Sequence, residues 1–82
     1  MKKCIAVFDT TFETLRAEDF FKRQKIRYRP ILKPRKIGSA CRMALQFSCD
    51  ELAAAKKAVS KSGLSLKGFY EKEGEGWKET VR

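Results

Sequence analysis

Hydrophobic positions along the chain come in short runs whose period changes from segment to segment. Cys4-Ile5-Ala6-Val7-Phe8 is an unbroken apolar run, short and partly β-branched, as in a strand buried on both faces. Asp9, Thr10 and Thr11 follow, and each can cap a helix. Residues 11–24 lack Gly and Pro. Thr14, Ala17, Phe20, Phe21 and Gln24 make an inner helical face there, while Phe12 and Leu15 point elsewhere. Over residues 26–33 the pattern alternates. Ile26, Tyr28 and Leu32 fall on one side and Arg27, Arg29 and Lys33 on the other, which predicts a half-buried strand. Pro30 cannot donate to a ladder, so this strand belongs at a sheet edge, where its charges also discourage pairing with another chain.

Pro34 to Cys41 reads as a loop containing Gly38 and Ser39, and Met43, Leu45 and Phe47 share one face of the next strand. Ser48-Cys49-Asp50-Glu51 has the spacing of a capping box. Leu52, Ala55, Val59 and Ser62 then recur at helical spacing, and Gly63 is a suitable stop. Leu64 to Tyr70 predicts a last strand. Residues 71–82 are polar, contain Gly74 and Gly76, and read as a C-terminal tail with Trp77 as its anchor. The expectation is a single domain over residues 1–70 with a tail over 71–82. Its order β-α-β-β-α-β predicts an α+β, ferredoxin-like fold: a four-stranded antiparallel sheet, order 4-1-3-2, with two helices on one face. That order also puts the Pro30 strand at an edge.

Two helices cover only one face of such a sheet. Its central strands are apolar on both sides, so the other face needs a cover, either a second subunit or the tail with Trp77. A homodimer is the favoured expectation, because the glycines and charges of the tail argue against firm packing.

Composition narrows the chemistry. Nineteen Lys and Arg against ten Asp and Glu give a net charge of +9 over 82 residues, and there is no histidine. The missing imidazole excludes Ser-His-Asp and Cys-His catalysis within one chain, and nothing supplies a general base or a cofactor motif. No stand-alone enzyme and no cofactor are expected. No metal site is expected either, since no cysteine pair has Cys-x-x-Cys spacing. The apolar run after Met1-Lys2-Lys3 is too short for a signal core or a bilayer span. Three cysteines cannot all pair within one chain, and free thiols suggest a reducing, cytoplasmic setting.

The charge is concentrated. Lys22, Arg23, Lys25, Arg27, Arg29, Lys33, Arg35, Lys36 and Arg42 lie within residues 22–42, a stretch without a single acid. This segment attracts anions, or it is a solvated edge protected from aggregation. A nucleic-acid-binding module would use Arg27, Arg29, Lys33, Arg35 and Lys36, and the central strands offer Phe8 and Phe47 for base stacking. A regulatory domain binding a small anion in the loop is a further reading.

Cys41 ends the loop, with Arg35, Lys36 and Arg42 close in sequence. Cations beside a thiol favour the nucleophilic thiolate. Gly38 and Ser39 suit an anion-binding turn. Strand direction puts Cys41 at the end of the sheet where Thr10 and Thr11 open the first helix, with its positive dipole end. Cys4 and Cys49 fall at the opposite end, read as inert packing and a first-turn filler, with a redox role for the pair as the alternative.

Thr10-Thr11, Ala17-Glu18, Pro34-Arg35, Ser39-x-Cys41 and Met43-Ala44-Leu45-Gln46-Phe47-Ser48 together resemble a family of small bacterial domains described as putative selenium/sulfur carrier protein-like. The resemblance covers about residues 3 to 70. Arg42 stands where the family usually has Gly, and Gly38 replaces a usual loop serine. The resemblance implies that Cys41 holds sulfur or selenium for hand-over to a protein partner. The adduct would be held by Arg35, Ser39 and Arg42.

Overall fold

The computed structural model describes residues 2–80. Its elements are β1 (Lys3–Phe8), α1 (Thr11–Arg23), β2 (Tyr28–Leu32), β3 (Met43–Ser48), a 3-10 turn (Cys49–Glu51), α2 (Leu52–Ser62), β4 (Leu66–Glu73) and β5 (Gly76–Glu79). The sheet is antiparallel, in the order β2-β3-β1-β4-β5. β2 is an edge strand, as Pro30 requires.

The four-stranded, ferredoxin-like description is corrected by β5. The chain turns at Gly74, whose φ of 58° lies in the left-handed region open to glycine. It then pairs Gly76 with Glu73 and Trp77 with Lys72. Gly76–Glu79 looks like a tail in sequence because an edge strand packs little of its length. Only Trp77 among its residues escapes full exposure.

Alternation along the strands divides the core into two layers. Cys4, Ala6, Phe8, Leu45, Phe47 and Phe69 face the helices and meet Ala17 and Phe21 of α1 and Ala55, Ala58 and Val59 of α2. Phe47 makes edge-to-face ring contacts with both Phe21 and Phe69, a favoured aromatic geometry. Ile5, Val7, Ala44 and Tyr70 form the second layer on the other face. Ile37 joins them from the β2–β3 loop, with Ile31 and Trp77 packed alongside. Ile5, Val7 and Ala44 are fully buried within the single chain. Trp77 of the C-terminal segment thus covers this face together with Ile31 and the loop residue Ile37.

The helices start and stop for local reasons. The Thr10 hydroxyl accepts from the Glu13 amide and donates to the Glu13 carboxylate, which satisfies an otherwise unpaired first-turn donor. Ser48 caps the 3-10 turn through the Asp50 amide. The expected return contact from Glu51 is diverted, because Glu51 accepts from the Arg27 amide instead. Gly63 ends α2 with φ 71°, a left-handed stop that suits glycine.

Cys4 and Cys49 correct a second expectation. They are joined in a disulfide with Cα atoms 5.2 Å apart. The physical cause is register. Lys3 pairs with Ser48 and the Cys49 amide donates to the Lys2 carbonyl, so the residue after β3 turns back beside β1. Cys41 is the one free cysteine. The free-thiol argument for a reducing compartment therefore keeps one of its three cysteines. Among the described residues no helix is long and apolar enough to cross a membrane.

Candidate functional site

Three anchors hold the loop that carries Cys41. The Ile37 amide donates to the Pro34 carbonyl and the Ile37 side chain is buried in the second core layer. Lys33 Nζ donates to the Ile37 carbonyl. Ser39 then ties the loop to β1. Its hydroxyl donates to the Phe8 carbonyl at 2.9 Å and accepts from the Cys41 amide at 3.0 Å. The loop is a built structure, closed at its base by the Lys33 amide on the Arg42 carbonyl at 2.8 Å.

Cys41 lies at the end of the sheet beside the start of α1, far from the disulfide, as strand direction predicts. Its sulfur is fully buried, at 0% exposure. Thr14 Oγ1 stands 2.9 Å from Sγ. The thiol reaches the Met43 carbonyl at 3.2 Å, and the Met43 amide donates to the sulfur at 3.3 Å. Thr14 Oγ1 also lies 3.2 Å from the Thr10 carbonyl. With one proton, the Thr14 hydroxyl can serve Thr10 or turn to the sulfur. A neutral thiol satisfies the Met43 carbonyl. A thiolate would gain the Thr14 hydroxyl and the Met43 amide as donors.

Thr14 is the site residue that sequence reasoning missed. It is legible as part of the inner face of α1, and it is the one buried polar side chain among the described residues. A hydroxyl facing a core needs a partner, and that requirement was the available signal. Thr10 and Thr11 are near but do not touch the sulfur. Thr10 is used in the cap and Thr11 is exposed.

The remaining predicted residues divide among three hollows. Leu32, Lys33, Arg35, Ser39, Ala40, Cys41 and Arg42 line an open groove of about 370 Å3. This hollow brings Arg35, Ser39 and Arg42 together with Cys41, whose sulfur lies buried beneath it. Lys36 lies instead in a cleft of about 300 Å3 with Arg35, Ile37, Glu75 and Trp77. Arg27 and Arg29 line a hollow with Lys2, Lys3, Gln46 and Ser48, at the disulfide end of β2. The five residues of the nucleic-acid reading are thus spread along the edge, on the order of 20 Å for six residues of extended chain. Phe8 and Phe47 are buried beneath the helices, so neither offers a ring for base stacking. Gly38 takes no left-handed conformation, and a Cβ there would meet nothing within 4 Å. Space alone would accept a serine at this position.

Residues 3–71 match the family described as "Putative Se/S carrier protein-like". No curated protein and no solved structure matches the chain.

Proposed function

The chain belongs to the putative Se/S carrier protein-like family, and on that premise we propose that it is a thiol carrier whose cargo rides on Cys41. The observation that supports this reading is the pairing of a single free thiol with two polar groups against its sulfur, the Met43 amide as donor and the Thr14 hydroxyl at 2.9 Å. A basic groove lies directly outside.

The transfer is an exchange at sulfur. The Cys41 thiol loses its proton to solvent and attacks the outer sulfur or selenium of a donor persulfide or selenopersulfide. A bond forms between Cys41 Sγ and that atom, the donor's own bond to it breaks, and the donor leaves as a thiolate. No net oxidation occurs. Hand-over to an acceptor thiolate is the same step in reverse. The persulfide is an anion, and Arg35 and Arg42 supply charge where it would emerge. Because the sulfur is sealed at rest, loading requires the Pro34–Arg42 loop to lift, and closure then shields the cargo from water and stray thiols. The protein acts with a donor and an acceptor protein.

Intact mass after incubation with glutathione persulfide tests the proposal. A gain of one sulfur atom that disappears in Cys41→Ser is expected. No gain, or a gain that survives Cys41→Ser, refutes it. A nucleic-acid module would instead tolerate Cys41→Ser and bind less as salt rises.

A further inference from the structure

The geometry points to a docking surface around Cys41 for an acidic protein partner, one that presents an apolar knob ringed by carboxylates. Among the described residues the large hydrophobics left exposed are Phe12 at 67%, Leu15 at 59% and Leu32 at 77%. All three lie on elements that meet at the Cys41 end of the sheet, Phe12 and Leu15 in the first turns of α1 and Leu32 as the last residue of β2. Leu15 follows Thr14, whose Oγ1 is 2.9 Å from the sulfur, and Phe12 is turned about 160° away from Thr14 around the helix. Leu32 lines the same groove as Cys41. Single exposed leucines are ordinary, but a cluster confined to one functional end is not.

These side chains lie outside both core layers. Thr14, Ala17 and Phe21 are the buried face of α1, and Glu18, which accepts from the Tyr28 hydroxyl, marks the flank toward β2. At 100° per residue Leu15 lies on that same flank and Phe12 on the outward side. Leu32 ends β2 on the helix-facing side, opposite Met43. Leu15 and Leu32 therefore share the edge formed by α1 and β2, and Phe12 lies farther out on the helix.

Charge decides the occupant. Lys33, Arg35 and Arg42 line the groove, and the Arg16 guanidinium sits 5.8 Å over the Phe12 ring. None of the groove's lining residues is acidic, whereas the acids on the α1 side keep their charge, since a hydrogen bond from a neutral donor does not cancel it. Asp9 and Glu13 accept from Ser65, and Glu18 accepts from Tyr28. Asp19 is exposed one turn beyond Leu15, farther from the thiol. With Leu32 beside three cations and no acid, the groove selects an acidic rim and repels a basic one, the same groove of a second copy included.

This inference rests on the carrier reading only for the partner's role as donor or acceptor. Its test reads binding and not transfer. The probe is a fluorescein-labelled peptide carrying Leu and Phe among Asp and Glu, compared with a peptide in which Lys replaces each acid. Fluorescence anisotropy should show the acidic peptide binding about tenfold tighter, with the preference shrinking as salt rises. Leu32→Ser and Leu15→Ser should each weaken it several-fold without lowering the melting temperature, because both side chains are exposed. Cys41→Ser should leave binding intact. Equal binding of the two peptides, indifference to Leu32→Ser, or self-association of the wild-type chain that Leu32→Ser abolishes would overturn the docking surface. Selective peptide binding combined with failure to take up sulfur from glutathione persulfide would overturn the carrier reading alone.

Discussion

Ser39→Ala should speed alkylation of Cys41. The sulfur is fully buried, so iodoacetamide reaches it only when the loop opens. Ser39 closes that loop with two bonds, one to the Phe8 carbonyl at 2.9 Å and one from the Cys41 amide at 3.0 Å. At a net value near 1 kcal/mol each, their loss lowers the cost of opening by about 2 kcal/mol. If opening and closing are fast relative to the chemistry, the rate follows the open population and rises roughly 30-fold, since 1.4 kcal/mol is a factor of ten. The assay is intact mass against time at a pH held constant, with Cys4 and Cys49 kept in their disulfide. Val59→Ala, in the helix-facing core and away from the loop, is the control for global unfolding. A Ser39→Ala rate equal to wild type would refute the loop as the gate. So would a Val59→Ala protein, equally destabilised, whose Cys41 reacts just as fast. A wild-type Cys41 that reacts like a cysteine in a short peptide would refute the sealed sulfur itself.

Trp77→Ala should lower stability by about 2 kcal/mol in urea, below the range for a fully buried Trp because the ring is only half-buried. An unchanged midpoint would show that β5 does not hold the second core layer. Breaking the Cys4–Cys49 bond, by reductant or Cys49→Ala, should destabilise by up to about 4 kcal/mol on chain entropy for a sequence separation of 45. A thermal melt indifferent to reductant would contradict the bond. Burial first, then the Glu18 carboxylate, holds the Tyr28 hydroxyl above its ordinary 10.0. Its contribution to stability is therefore complete below pH 10 and is lost as pH rises through the raised value. Tyr28→Phe should flatten the alkaline fall in stability, and an identical fall in both proteins would sink this assignment.

The local elements and their directions are legible in the chain alone. Period and punctuation were sufficient for β1, α1, β2, β3, α2 and β4, because apolar spacing, Pro30 and Gly63 act within a few residues of themselves. Strand direction was sufficient to separate Cys41 from the other two cysteines. Three matters were decided only by tertiary structure. Gly76–Glu79 pairs as a fifth strand although its side chains are mostly polar, since ladder hydrogen bonds come from the backbone and leave no mark in side-chain pattern. Cys4 and Cys49 meet because the β1–β3 register and the turn after Ser48 place them side by side, and a register is a relation between segments that neither contains alone. Thr14 reaches Cys41 across 27 residues of sequence. Helical spacing says that Thr14 faces inward, but which atom waits for its hydroxyl depends on how α1 is seated over the end of the sheet, and that seating is set by packing.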